Sequence, residues 1–455
     1  MRGGGTVRRI IPILIAMCAW VSTPLAQSPA SRPNVVLIIT DDMGYGDLAS
    51  YGSPDIKTPN IDSLAKAGVR FTQFYSNGST CTPTRAGLIT GRYQQRFALE
   101  RPLSHSATPD GKLGLLPTGR SLPQLLKNHG YATALIGKWH LGYQPQFSPQ
   151  AHGFDSFFGF KAGYTDYYQH TDGGGDADLF ENETPVKVDG YMTDLITDRS
   201  VAYIDAHARA PFFLEVAYNV PHWPYQDPDH PSKAVNNSIH VLPFDEHPNT
   251  RADYVKMIEH ADRSVGKILA AIEQQGLAAN TLVIFTNDNG GEWLSRNTPL
   301  FNRKFSVYEG GIRVPAMMRW PGRIPAGVVT QQVGITMDLT ATILAVTGAP
   351  VPADARLEGT NLMPLIAKGA TPVSRTLFWR AAGNGFNQRA VRDGDWKLMM
   401  DGPGRAMLYD LSKDVGERDD MARSNAAVVR RLVQQLIAWE KEVESEAKAL
   451  AGSAR

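Results

Sequence analysis

The sequence contains little cysteine, no apolar run long enough for a comfortable membrane span, and almost no net charge. Only two of its 455 residues are cysteine, Cys18 and Cys81. If the segment around Cys18 is removed, the remaining single thiol excludes an internal disulfide. The balance of 46 basic and 45 acidic residues excludes a global field that would recruit nucleic acid or an anionic membrane. Any affinity for an anion must therefore come from a local group of basic side chains.

The N-terminus departs from this average composition. Arg2, Arg8 and Arg9 precede an apolar run over residues 10–21, followed by small and turn residues. This pattern predicts a signal peptide over residues 1–26 and an exported protein, periplasmic or secreted. The run is too short for a stable membrane span. Lipid attachment at Cys18 is disfavoured, because Met17 is larger than the small residue such a site requires.

Four short apolar runs, over residues 35–39, 131–136, 212–217 and 282–285, predict strands buried on both faces of a sheet. Stretches with apolar residues at helical spacing alternate with them, which indicates an α/β fold. We expect a large mixed, mostly parallel sheet flanked by helices. In such sheets the ligand site lies outside the carboxyl ends of the strands.

Polar residues follow each of the four runs. Asp41 and Asp42 follow the first run, and Asp288 and Asn289 follow the fourth. Their oxygens suit a hard cation, Ca²⁺ or Mg²⁺, better than zinc. Helix capping is the alternative for the first pair, and a turn before two glycines is the alternative for the second.

The second and third runs lead into basic side chains, Lys138 and His140 after one and His222 after the other. Either histidine could instead be a hydrogen-bonded core residue. Cys81 and Arg85 lie in the segment TCTPTR. From these residues alone, Cys81 is either a small buried side chain or a thiolate nucleophile whose pKa Arg85 lowers.

The C-terminal part has a different pattern. After residue 376, short alternating runs predict a small antiparallel sheet. A terminal amphipathic helix follows, with Leu432, Leu436 and Trp439 on one face. The predicted domains are therefore 33–350, which carries the site, and 351–455, a smaller C-terminal subdomain.

Five motifs together resemble those of the formylglycine-dependent (type I) sulfatases, in the alkaline phosphatase superfamily. CTPTR at residues 81–85 fits the family pattern of cysteine, any residue, proline, any residue, arginine. It is joined by NVVLIITDDMGYGD from Asn34, GYATALIGKWHLG from Gly130, TNDNGG from Thr286 and YEGGIRVP from Tyr308. The resemblance covers nearly the whole chain after Pro33.

The resemblance implies that a maturation enzyme oxidises Cys81 to formylglycine, whose hydrated form attacks sulfur and later expels sulfate. It implies a divalent metal, Ca²⁺ with Mg²⁺ as the alternative, held by Asp41, Asp42, Asp288 and Asn289. By the same resemblance, sulfate is bound and transferred with the help of Arg85, Lys138, Lys304, His140 as the base and His222 as the proton donor to the leaving alcohol.

The implied activity is hydrolysis of sulfate monoesters, either carbohydrate or aryl sulfates. One alternative is a phosphomonoester, phosphodiester or phosphonate hydrolase of the same superfamily. A second is a non-catalytic binder of sulfated glycans in which Cys81 stays unconverted. The occupation of every matched position argues against the binder.

Overall fold

The computed structural model describes residues 1–6, 32–229, 249–383, 386–402 and 404–453. The chain divides into the units Met1–Ser31 and Arg32–Arg455, and the second contains every element described below. Most of the predicted signal peptide, including Cys18, lies outside the described residues. Among the helices of the described part, none is both long and apolar enough to cross a membrane.

The described residues form sixteen strands and eight α-helices. The strands are β1 (Asn34–Thr40), β2 (Val69–Phe71), β3 (Phe74–Tyr75), β4 (Ala132–Lys138), β5 (Ser156–Phe160), β6 (Phe180–Glu181), β7 (Thr184–Pro185), β8 (Phe212–Ala217), β9 (Thr281–Asn287), β10 (Ala316–Arg319), β11 (Val328–Thr330), β12 (Gly334–Ile335), β13 (Thr376–Gly383), β14 (Phe386–Asp393), β15 (Trp396–Asp401) and β16 (Arg405–Asp410). The helices are α1 (Pro59–Ala67), α2 (Cys81–Thr90), α3 (Leu122–Asn128), α4 (Met192–Ala206), α5 (Arg251–Gln274), α6 (Glu309–Ile312), α7 (Thr336–Thr347) and α8 (Ala426–Ser453).

A ten-stranded sheet forms the centre of the fold, in the order β11-β2-β10-β9-β1-β8-β4-β5-β6-β7. The strands β9, β1, β8, β4 and β5 are parallel neighbours, whereas β10, β6 and β7 pair in antiparallel fashion. The four predicted strands are β1, β4, β8 and β9, and the predicted fold class is confirmed. Their carboxyl ends lie along one edge of the sheet.

Alternate side chains of the central strands enter two different cores. Val36 and Ile38 of β1 pack with side chains from α1, α4 and α5 on one face. Val35 and Leu37 pack with side chains from α2, α3 and α7 on the other. Because both faces are covered by helices, both positions of the alternation are apolar, and this gives the continuous apolar runs of the sequence.

The C-terminal residues form the four-stranded antiparallel sheet β13-β14-β15-β16, with α8 packed against it. Leu432, Leu436 and Trp439 of α8 are buried there, as their helical spacing predicts. The small sheet and the terminal helix are thus confirmed. The predicted domain boundary at residue 350 lies between α7 and β13 and stays a prediction.

A buried ion cluster joins the small sheet to α6. Lys397 of β15 has no exposed surface, and its Nζ lies 2.9 Å from Glu309 Oε1 and 2.8 Å from Glu417 Oε1. Arg313 adds a second cation, 3.1 Å from Glu309 Oε2. Charges buried this deeply must stay paired, so the cluster favours one position of the sheet against α6.

Replacing Lys397 with alanine is expected to lower the free energy of unfolding by about 3–5 kcal/mol, because two buried carboxylates lose their shared cation. Urea denaturation measures the loss. Lys413→Ala is the matched control, since Lys413 is 80% exposed in its pair with Asp410. This control should unfold at nearly the wild-type urea concentration. Equal destabilisation of the two variants would contradict the prediction.

Candidate active site

Two neighbouring strand ends bring the four predicted oxygen ligands together. Thr40 of β1 is paired with Asn287 of β9, so Asp41 and Asp42 leave the sheet beside Asp288 and Asn289. Backbone hydrogen bonds hold this corner, with Asp288 N donating to Thr40 O at 3.1 Å. All four side chains are buried, at 1% exposure or less.

The segment containing Cys81 begins a helix. Cys81 and Arg85 lie one turn apart on α2, so both face the strand ends. Cys81 Sγ lies 3.3 Å from Asp41 Oδ1. Arg85 donates through Nε and Nη2 to Asp288 Oδ2, at 3.2 and 3.1 Å, and through Nη1 to Lys138 O at 3.0 Å. The helix therefore fixes the guanidinium in one orientation.

Two lysines approach the acidic pair from different elements. Lys138 ends β4, and its Nζ lies 2.5 Å from Asp41 Oδ2. Lys304 comes from the loop before α6, and its Nζ lies 2.7 Å from Asp42 Oδ2. Both lysines are nearly inaccessible to solvent. Their charges offset those of the carboxylates, which makes burial of all four side chains tolerable.

The two histidines are held in opposite tautomers by backbone carbonyls. His140 Nε2 donates to Leu103 O at 2.8 Å, which leaves a lone pair on Nδ1. His222 Nδ1 donates to Trp223 O, and its Nε2 accepts from Lys304 Nζ at 3.1 Å. Burial, together with Lys138 for one ring and Lys304 for the other, lowers the pKa of both imidazoles well below the usual range. Both rings are therefore neutral acceptors near pH 7.

The buried charges shift other pKa values in opposite directions. Burial raises the pKa of the Cys81 thiol well above its usual value, with Asp288 and Asp41 adding to the effect. Burial and Asp41 raise the pKa of Asp288 to about 6, against the pull of Arg85. Burial alone would raise the pKa of Asp42, but the charges of Lys304, His222 and Lys138 bring this pKa far below its usual value. A protonated thiol is a weak nucleophile, which counts against the thiolate alternative for Cys81.

The donor set fits a divalent cation. Ligand atoms of Asp41, Asp42, Cys81 and His222 lie within 4.8 Å of one another. Within the described part of the chain, Asp288 Oδ1 and Asn289 Oδ1 are buried without a hydrogen-bond partner. Buried oxygens normally have a partner, and carboxylate and amide oxygens are the ligands that Ca²⁺ and Mg²⁺ prefer. The structure thus brings the four predicted ligands together at neighbouring strand ends, and two of them have oxygens that can bind a cation.

A cavity of about 260 Å³ opens onto this cluster. It is lined by Cys81, His140, His222 and Lys304, and also by three residues that sequence reasoning missed, Arg101, Asp110 and Glu292. Glu292 follows the motif TNDNGG directly, and this position was a signal that could have identified it. Burial raises the pKa of Glu292 to about 7, with Lys304 opposing and the adjacent Asp42 adding to the rise.

A family model described as Sulfatase matches residues 33–349, which include every predicted site residue. The chain belongs to the sulfatase family. A second model, N-sulphoglucosamine sulphohydrolase, C-terminal, matches residues 297–442. The protein is therefore a sulfuric ester hydrolase, and the predicted family and enzyme class are confirmed. Sulfatases of this family use a cysteine-derived formylglycine and a divalent metal. In this sulfatase, Cys81 lies in a cluster of side chains that could bind a metal ion.

Relatives of known activity resemble this sulfatase over most of its length. It is 35% identical to the N-acetylgalactosamine-6-sulfatase of Rattus norvegicus, over 85% of this chain and 74% of that protein. It is 32% identical to arylsulfatase A of Homo sapiens, over 93% of this chain and 89% of that protein. The crystal structure of Ps i-CgsB in complex with k-i-k-neocarrahexaose is similar with a TM-score of 0.81 and 32% identity, covering 90% of this chain and 93% of that one.

Proposed function

We propose that this sulfatase hydrolyses carbohydrate sulfate monoesters through a formylglycine formed at Cys81. The observation that carries the proposal is the position of Cys81 in the cavity, beside two histidines and Lys304. Cys81 begins α2, and its thiol faces the buried carboxylates. Burial among carboxylates keeps a thiol at this place protonated and weakly nucleophilic, whereas a hydrated aldehyde would offer two hydroxyls there.

The names of two similar proteins support a carbohydrate substrate. One is an N-acetylgalactosamine-6-sulfatase, and one solved structure contains k-i-k-neocarrahexaose. Arylsulfatase A, at 32% identity, keeps aryl sulfates as the alternative. The polar side chains of Arg101, Asp110 and Glu292 on the cavity wall suit a hydroxyl-bearing substrate better than an apolar ring.

The side chains around residue 81 would have different roles in the reaction. The hydrated aldehyde would supply one hydroxyl to attack sulfur and a second to expel sulfate. Arg85 and Lys138 would stabilise the charge on the sulfuryl oxygens, since Asp288 fixes the guanidinium in place. His140, with a free lone pair on Nδ1, would accept the proton of the second hydroxyl.

The leaving alcohol needs a proton, and two basic side chains of the cavity are in contact with each other. Lys304 Nζ donates to His222 Nε2 at 3.1 Å, so the proton of this pair is on the lysine. We propose that Lys304 and His222 deliver this proton together. The pair lines the same cavity as Cys81, which lets the alcohol leave on that side.

Asp41, Asp42, Asp288 and Asn289 would hold the divalent cation, which we propose to be Ca²⁺, with Mg²⁺ as the alternative. Such a cation supplies positive charge to the sulfuryl oxygens and lowers the pKa of a hydroxyl at residue 81. We also propose that the protein is exported and that a maturation enzyme modifies Cys81. The basic and apolar N-terminus and the CTPTR motif support these two proposals.

Two measurements test the proposed function. Mass spectrometry of the peptide that contains residue 81, from protein made in its native host, should show formylglycine, and cysteine alone would count against catalysis. The kcat/KM of the same protein should be much larger for 4-nitrophenyl sulfate than for 4-nitrophenyl phosphate. A preference for the phosphate would favour the phosphohydrolase alternative. Binding of sulfated glycans without turnover would favour the non-catalytic alternative.

A further inference from the structure

The cavity has two buried carboxylates on its wall, and they differ in what they bind. Both oxygens of Asp110 are occupied, because Arg101 donates to them at 2.6 and 2.7 Å. The amide of Ser104 also donates to Asp110, at 3.0 Å. Asp110 therefore stabilises the loop over residues 101–110. Glu292 has no such fork of donors in the described part of the chain.

The contacts of Glu292 leave room for another partner. Its Oε2 lies 3.7 Å from Lys304 Nζ, which is long for an ion pair. Lys304 lies much closer to Asp42 Oδ2, at 2.7 Å, so Asp42 is the main partner of this lysine. The carboxyl group of Glu292 also makes a side-chain hydrogen bond with that of Asp42, which engages one of its two oxygens. This arrangement leaves Glu292 able to accept a strong hydrogen bond from a ligand.

The backbone holds Glu292 in a fixed position. Its carbonyl accepts from the amide of Ser295 at 2.8 Å, and Gly291 N donates to Asn297 Oδ1 at 3.0 Å. The side chain is only 8% exposed, and it lines the cavity. A buried, preorganised acceptor can discriminate strongly between ligands with and without a matching donor.

A carboxylate near a sulfate site is unfavourable for the sulfate itself, because the two groups repel each other. The donor that Glu292 can bind must therefore be on the rest of the substrate. In a carbohydrate sulfate, a hydroxyl is present on a carbon close to the sulfated one, whereas a simple aryl sulfate has no such group. Lys304, the neighbour of Glu292, is the proposed proton donor to the leaving oxygen, so Glu292 lies on the leaving-group side.

We propose that Glu292 is a specificity-determining residue that accepts a hydrogen bond from a substrate hydroxyl close to the sulfated oxygen. This inference rests on the carbohydrate substrate proposed above. Glu292 then selects sulfated sugars over simple aryl sulfates. It also explains the presence of a carboxylate in a cavity that must admit an anion.

The test compares two substrates in three forms of the holoenzyme. The sugar probe is the sulfated monosaccharide that the wild type hydrolyses fastest in a panel that includes N-acetylgalactosamine 6-sulfate, and the aryl probe is 4-nitrophenyl sulfate. Glu292→Ala should lower kcat/KM for the sugar by about 10–100-fold, the range expected for a charge-assisted hydrogen bond. The value for the aryl sulfate should stay within about threefold of the wild type, since it makes no such bond.

Two controls separate recognition of the hydroxyl from an effect through Lys304. Glu292→Gln keeps an acceptor oxygen without the charge, so it should restore much of the sugar activity. Removing the hydroxyl nearest the sulfate ester, which is the 4-hydroxyl in N-acetylgalactosamine 6-sulfate, should lower kcat/KM for the wild type and leave the value for Glu292→Ala unchanged. Equal losses on both probes would overturn the inference, because Glu292 would then act through Lys304 or Asp42.

The remaining outcomes distinguish this inference from the proposed function. If the wild type hydrolyses the aryl sulfate but none of the sugars, the carbohydrate assignment is wrong and the role of Glu292 is refuted with it. If the sugar is hydrolysed and Glu292→Ala is as active on it as the wild type, only the role of Glu292 is refuted. Thermal unfolding of each variant shows whether a loss of activity on both probes comes from misfolding.

Discussion

Replacing Cys81 with alanine is expected to lower kcat/KM for 4-nitrophenyl sulfate by about ten-thousandfold or more, because the variant cannot form the nucleophile. The fold should survive the change. Cys81 is a small side chain at the first position of α2, and the helix is held by Arg85 and by packing along its other residues. A melting temperature close to that of the wild type would show that the loss is chemical.

Serine at position 81 provides a sharper test of the second hydroxyl. A serine hydroxyl can attack sulfur once but has no neighbouring hydroxyl to expel the sulfate. We expect Cys81→Ser to accumulate a sulfated serine without turnover, in protein in which mass spectrometry shows residue 81 to be serine. Cys18→Ala, which removes the other cysteine, should leave kcat/KM unchanged. Full activity of the Cys81→Ala variant would refute the proposed mechanism.

Removal of the divalent cation is expected to lower kcat/KM by about a thousandfold, since a cation at this site supplies several kcal/mol of charge stabilisation. Dialysis against a chelator, followed by addition of Ca²⁺ or Mg²⁺, measures both the loss and the preferred ion. Calorimetric titration of the stripped protein gives the affinity without depending on activity. Unchanged turnover after complete removal, verified by elemental analysis, would contradict the prediction.

Asp288→Asn should weaken binding of the cation in the same titration. Its Oδ1 is one of the buried oxygens without a hydrogen-bond partner, and the amide keeps the shape but loses the charge. Asp47→Asn is the matched control, because Asp47 is equally buried but pairs with Arg251, 2.8 Å away. We expect this control to lower stability and to leave the affinity for the cation unchanged. The reverse pattern would place the metal elsewhere.

The strand ends were predictable from the sequence for a physical reason. Strands covered by helices on both faces are continuous apolar runs, and the polar residues that follow them stand out. The sequence alone therefore identifies the positions of Asp41 and Asp288. The run before His140 was predicted to end at residue 136, whereas β4 continues through Gly137 and pairs Lys138 with Phe160. Pairing with neighbouring strands overrides the weak strand preference of these two residues.

Other parts of the site were harder to predict from the sequence. The segment from Cys81 to Arg85 contains a proline and two threonines and is a poor helix former, yet it begins α2. Pro83 is tolerated because it lies in the first turn, where amides lack helical partners. Arg101 lies in an irregular segment and Asp110 in a single 3₁₀ turn, where no periodicity marks a residue as part of a cavity. Their positions depend on contacts between distant parts of the chain.

The burial of the CTPTR segment limits when the maturation enzyme proposed for Cys81 could act. Cys81 is 1% exposed, and Thr82, Pro83, Thr84 and Arg85 are buried with it in α2. Another protein cannot bind these five residues once the helix has packed against the rest of the fold. Under the proposed modification of Cys81 by a maturation enzyme, modification and folding compete in time, and a chain that folds first stays unconverted. The yield of active enzyme is then governed by the ratio of two rates rather than by the stability of the folded state.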